Sequence, residues 1–265
     1  MIVLFITASR RNRLRNQPFP PAWERILEQE VPLYNSLPLT DREELKGHIL
    51  VFLAEKQFEG AGGLVITDGI RVKIAAQACL LLLHRETDYY PGLSSIVVYP
   101  DEYLAPFEEL DETGVVTSGT DRRSGESGEQ GTLVLSWADI QMAGVDGDGA
   151  YNVVLHEFAH QLDAEDGITD ETPFFPRRAV RKHWQRTLEA EYVRMKEEVG
   201  RGTVSVLDPY GAESPAEFFA VATEAFFENP RGLKEHHLAL YEELSRYYRQ
   251  DPATWPATIS IGGTS

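Results

Sequence analysis

The stretch YNVVLHEFAHQLD, residues 151–163, decides how the rest of the chain is read. His156 and His160 stand four residues apart, so on an α-helix both imidazoles project from one face and can reach the same point. Val154, Leu155, Phe158, Ala159 and Leu162 surround them with apolar side chains, which buries the helix and makes imidazoles without a partner costly. Two imidazoles at this spacing suit a zinc ion, which takes nitrogen and oxygen ligands in a tetrahedron and, in a catalytic site, keeps the fourth position for water. Glu157 sits about 100° around the helix. It can reach that water without being a ligand. Zinc lowers the pKa of water to about 7, and Glu157 is placed to take its proton as the water attacks a carbonyl.

A third ligand is needed, and spacing alone offers several. Asp166 lies six residues after His160, where HExxHxxGxxH/D places a ligand, but Asp163 stands at the glycine position and Met1, Met142 and Met195 give no Met-turn. Glu217, in DPYGAESPAEFFAVATEAF, begins a new helix and can carry a carboxylate to the first helix from outside. Ser214 and Glu217 also have capping-box spacing, so Glu217 could instead bind the backbone of its own helix start. A two-histidine site short of a ligand favours the metal role, with Glu224, two turns on, in reserve. Asp163 can share the histidine face and orient an imidazole N–H, or simply occupy the end of the helix. Residues alone make Tyr210 a turn residue in DPYG.

Working outward, Thr40 and Glu43 have capping-box spacing ahead of a helix running to about Phe58. Ile70, Ile74, Ala78 and Leu81 mark a second, buried helix. SIVVYP near 95–100, GVVTS and TLVLSW have strand character. The polar, glycine-rich GTDRRSGESGEQG between the last two reads as a mobile hairpin loop. Helices are expected over 150–163, 177–199, 215–228 and 233–249. A few strands followed by a run of helices makes an α+β fold, mainly helical with a small sheet. Residues 1–16 read as a solvated basic arm, and 17–265 as a single domain.

The 265 residues are 42% hydrophobic, enough for a substantial core. A formal net charge of −17 argues against direct nucleic-acid binding or a membrane-surface role. Cys79, the only cysteine, lies within IAAQACLLLL and reads as buried and structural. The start MIVLFITASRRNRLRN inverts the order of a signal peptide, and the apolar run near 74–83 is short of the roughly 20 residues that span a bilayer, so a cytoplasmic protein is expected. His48, His84, His183, His236 and His237 have no ligand spacing and read as surface or packing residues.

HEFAHQLD, YGAESPAEFFAVATEAFF, IAAQACLLLL and QPFPPAW together resemble the Mlc titration factor A family of bacterial zinc peptidases, over about Gln17 to Asn229. The site is similar to that of the anthrax lethal factor catalytic domain. The resemblance implies a zincin-like fold, Zn2+ on His156, His160 and Glu217, Glu157 as general base and Tyr210 as the hydroxyl that stabilises the oxyanion. It further implies a modest, chiefly aminopeptidase-like activity on peptides and binding of a Mlc-like transcriptional repressor. The expectation is therefore a zinc-dependent peptidase. The alternatives are a non-catalytic zinc-containing module that titrates a transcriptional regulator, and, third, a zinc-stabilised structural protein.

Overall fold

A computed structural model describes the backbone of residues 2–101, 103–110, 116–123, 125–128, 131–142, 151–164 and 178–256, and the side chains of 6–101, 131–142, 151–164 and 180–256. The elements run α1 (Ile2–Arg15), α2 (Pro21–Glu30), α3 (Pro32–Ser36), α4 (Leu39–Glu55), β1 (Gln57–Gly60), α5 (Asp68–Leu80), β2 (Ser95–Tyr99), β3 (Tyr103–Leu110), β4 (Val116–Arg123), β5 (Gly125–Gly128), β6 (Thr132–Ser136), α6 (Trp137–Met142), α7 (Val153–Asp163), α8 (Arg178–Gly200), α9 (Pro215–Glu228), α10 (Pro230–His236) and α11 (Leu238–Tyr248). A 3-10 turn, Pro209–Ala212, precedes α9. The fold is α+β, mostly helical, with an antiparallel β3/β4 pair and a small four-stranded sheet.

That sheet has the order β1-β2-β6-β5. The first three strands are parallel, and β5 closes the edge antiparallel to β6. The connection from β1 to β2 runs through α5, as a parallel pair requires. Ile96 faces Leu133 and Val98 faces Leu135 across the β2/β6 register. All four are buried, which fixes that register by the period of two along each strand. Thr67 caps α5 by accepting the Ile70 N–H at 3.3 Å. Cys79 lies buried on that helix, and burial pushes its thiol pKa up.

α7 packs between α5 and strands β5 and β6 on one side and α9 on the other. Phe158 anchors it edge-on against Tyr90, with ring centroids 4.8 Å apart, and against Phe52 at 5.7 Å. On α9, Phe226 and Phe227 pack on Tyr241 and Tyr248 of α11. Buried Trp184, Leu188 and Met195 form the stripe by which α8 joins the same core.

Several local expectations are corrected. The basic stretch read as a solvated arm is helical as α1 and packs on α4. Arg11 grips both carboxylate oxygens of Glu55, at 3.0 and 2.9 Å, while Arg15 donates to the Tyr89 hydroxyl at 2.7 Å. Thr40 does not cap α4: the helix begins at Leu39, and the Pro38 carbonyl accepts from Asp41 and Arg42. The chain leaves α4 before Phe58, which belongs to β1. The glycine-rich stretch expected as a hairpin loop contributes to β4 and β5, because a ladder pairs backbone groups whatever the side chains. The helix expected over 233–249 is broken at His237, whose buried ring donates from Nδ1 to Glu191 Oε2 on α8 at 2.7 Å. Among the described residues, no helix is long and apolar enough to cross a membrane.

Candidate metal centre

Two helix starts set the site. Asn152 caps α7 by accepting the Leu155 N–H at 3.2 Å. Ser214 caps α9 by accepting the Glu217 N–H at 3.2 Å, with Pro215 at the first helical position. The capping box suggested by the sequence is thus half made. Ser214 does the capping, while the Glu217 carboxylate turns across to α7.

There it meets both histidines. Glu217 Oε2 lies 2.9 Å from His156 Nε2 and 3.4 Å from His160 Nε2, and the two Nε2 atoms are 3.2 Å apart. Ligand atoms held about 2.0–2.1 Å from one tetrahedral ion are separated by roughly 3.3 Å. These three atoms therefore already stand at the spacing of three corners of a zinc tetrahedron. Among the described residues, His156, His160 and Glu217 are the one group of three that could hold a metal ion.

The electrostatics favour a cation at the same point. Burial alone would lower the pKa of His156, but hydrogen bonds to Glu217 and Glu224 raise it to about 10. Burial likewise works against the Glu217 carboxylate, and the hydrogen bonds from His156 and His160 overcome it, holding its pKa at about 2. In the metal-free chain a proton on His156 supplies the positive charge that two carboxylates demand.

Glu224 is not where the reserve-ligand reading put it. It is buried, and its Oε1 accepts from His156 Nδ1 at 2.7 Å, on the far side of the ring from the convergence point. Its other oxygen accepts the backbone N–H of Asn152. An acid holding the outer nitrogen of a ligand imidazole fixes its tautomer and ring angle. The signal was its seven-residue offset from Glu217, about 20° around the helix. What the offset does not reveal is which edge of the imidazole the carboxylate meets.

Glu157 is buried beside these groups and adds to the charge that raises His156. Asp163 is buried at the last position of α7, one turn beyond His160. Asp166 lies outside the described residues. Tyr210 sits in the 3-10 turn with its N–H on Asp208 Oδ1 at 2.9 Å. Its half-exposed ring lies with its centroid 5.9 Å from that of His156. The turn is held by the Tyr192 hydroxyl donating to the Ala212 carbonyl at 3.2 Å. Gly211 lets the turn pack closely, since a Cβ there would come 3.1 Å from Met195 Cε and 3.2 Å from Val221 Cβ, tight enough that these neighbours would have to shift. Of the other histidines, His48 and His84 meet Glu44, and His237 meets Glu191.

The arrangement can hold a divalent cation by two nitrogens and one oxygen, with a buried carboxylate beside it and a phenol at its rim. The sequence profile of the family described as glucose-regulated metallo-peptidase M90 matches residues 6–249. An uncharacterized protein of Synechocystis sp. is 39% identical over 244 residues, covering 92% of this chain and 89% of that one. Proteins named Mlc titration factor A are similar over comparable spans. That of Serratia proteamaculans is 34% identical over 236 residues, 87% of each chain. That of Klebsiella pneumoniae subsp. pneumoniae is 33% identical over 234 residues, 87% of this chain and 86% of its own.

Proposed function

The chain belongs to the glucose-regulated metallo-peptidase M90 family, and on that premise we propose that it hydrolyses peptide bonds at a zinc ion held by His156, His160 and Glu217. The observation that carries this reading is the convergence of the three ligand atoms at 2.9, 3.2 and 3.4 Å. Two imidazoles and a carboxylate suit zinc among the common ions.

When bound, zinc would polarise the substrate carbonyl and bring the pKa of water close to 7. The chain's own residues would do the rest. Glu157 takes the proton of the attacking water and passes it to the departing amine. Tyr210 donates its hydroxyl hydrogen to the carbonyl oxygen as negative charge grows there, an interaction stronger in the transition state than in the ground state. Glu224 holds His156 by Nδ1, and Asp163, the buried acid at the end of α7, orients an imidazole N–H. An aminopeptidase-like preference and a cytoplasmic location complete the reading.

The test is metal content measured together with hydrolysis of a small peptide panel, with and without chelator. Hydrolysis that stops on stoichiometric zinc removal and returns on re-addition is expected. Full activity without metal would overturn the proposal. Glu157→Gln keeps zinc and loses hydrolysis, because an amide cannot accept the proton. Loss of zinc from a folded Glu157→Gln protein would make Glu157 a ligand instead of a base.

A second reading rests on the name of the relatives, Mlc titration factor A: the chain binds a Mlc-like transcriptional repressor. That role needs the metal ligands at most and can dispense with Glu157. Repressor capture by Glu157→Gln at wild-type affinity would separate the two activities.

A further inference from the structure

The contacts between α7 and α9 form a ladder that continues past the three ligands. Asn152, His156 and His160 recur at four-residue intervals along α7. Glu217, Glu224 and Glu228 fall within about 40° of one another on α9. Because the helices are antiparallel here, the residues pair in reverse order. His160 and His156 meet Glu217, His156 and the Asn152 backbone N–H meet Glu224, and the Asn152 side chain meets Glu228.

The last rung uses both ends of one amide. Asn152 Oδ1 accepts the Leu155 N–H and so starts α7, while Nδ2 donates to Glu228 Oε1 at 2.7 Å. Capping alone needs only the oxygen, and aspartate caps as well as asparagine does. The requirement for a donor comes from α9. Burial pushes the Glu228 carboxyl pKa up to about 7, so where Glu228 is ionised it depends on the Nδ2 donor, and a second carboxylate facing it would be costly.

We propose that Asn152 is a positioning residue for the metal centre. By tying the start of the histidine helix to Glu228, it fixes the register of α7 against α9 at which His156, His160 and Glu217 converge. The inference rests on the metal reading above.

The swap of donor and acceptor tests it. Zinc affinity is measured by competition with a chromophoric chelator, on the full chain, for wild type, Asn152→Asp, Glu228→Gln and the double variant. Asn152→Asp keeps the cap but sets carboxyl against carboxyl and, measured at a pH high enough to ionise both, is expected to lower zinc affinity about tenfold or more, the scale of losing an outer contact to a metal ligand. Glu228→Gln still accepts from Asn152 and stays near wild type. In the double variant the amide at 228 donates to the new carboxylate, and affinity returns to within a few-fold of wild type. The visible spectrum of the cobalt-loaded protein, which follows ligand geometry, shifts in Asn152→Asp and is restored in the double variant. Should Asn152→Asp fail to fold, Asn152→Ser, which keeps a capping oxygen, carries the comparison of affinity and spectrum with wild type.

Wild-type affinity in a folded Asn152→Asp, or in Asn152→Ser where that takes its place, overturns the inference and leaves the metal reading standing. So does a loss in Asn152→Asp that Glu228→Gln does not repair. A wild-type chain that binds no zinc overturns both.

Discussion

Glu224 Oε1 accepts a hydrogen bond from His156 Nδ1 at 2.7 Å, which leaves Nε2 of the same ring facing Glu217 and His160. The tautomer that presents a lone pair to a metal is therefore set from inside the protein. Glu224→Ala is expected to lower zinc affinity 10–100-fold. It also leaves the Asn152 N–H without its acceptor, which costs about 1–3 kcal/mol of stability. Chelator competition and urea melts of the metal-free protein read the two effects separately. Unchanged affinity would reduce Glu224 to a helix-packing residue.

Ser214 and Glu217 divide the work of their capping box, and substitution separates the two jobs. Ser214→Ala loses the bond to the Glu217 N–H and costs about 1 kcal/mol, with zinc still bound. Glu217→Ala removes the proposed third ligand and is expected to weaken zinc by more than the roughly 100-fold upper range for an outer contact. Asp166→Ala retains zinc. Equal metal retention in Glu217→Ala and Asp166→Ala would exclude Glu217 as the third ligand.

Tyr210→Phe keeps the ring beside His156 and removes only the hydroxyl. Fold, zinc content and KM stay near wild type, and kcat falls on the order of 10²-fold, the scale of one oxyanion donor. Steady-state kinetics on any cleaved peptide decide it. A variant with unaltered kcat would make Tyr210 a rim residue of the turn.

Glu44, which is not part of the candidate site, gives a pH signature of its own. Its hydrogen bond with His48 lowers the carboxyl pKa, burial opposes this, and the His84 backbone N–H and imidazole lower it further, from an ordinary 4.5 to about 2. A depressed carboxyl pKa stabilises the fold above the unfolded value, and that contribution fades as pH drops through the folded value. Glu44→Gln therefore melts earlier than wild type at neutral pH, and the gap closes between about pH 4.5 and 2. A gap that is constant with pH would assign the loss to packing.

What the sequence makes legible is whatever one helix decides by itself. α7 and α9 are readable because their apolar period, the Ser214 cap and the four-residue spacing of the histidines are local. The role of Glu224 depends on which edge of His156, 68 residues away in sequence, it meets, a matter of how two helices are registered. α1 escapes reading for a similar reason. Its arginines lie next to no acid in sequence, and the carboxylates that Arg11 meets, Glu55 and Asp88, lie 44 and 77 residues away. The break at His237 likewise coincides with a contact to Glu191 on another helix, 46 residues away in sequence. β4 and β5 take polar, glycine-rich sequence, so hydropathy carries no sign of them.

The paired rungs of α7 and α9 also limit how the gene can change. One codon inserted or deleted within 152–160 or 217–228 turns every following side chain by about 100°, so ligands and their outer contacts would part company together. Substitutions can be tried one position at a time, but length cannot. Drift in length is confined to the connections outside these two segments, where a gained or lost residue leaves the pairing intact. Related chains aligned on the two helices are accordingly expected to place their gaps in the intervening sequence and never between His156 and His160 or between Glu217 and Glu224.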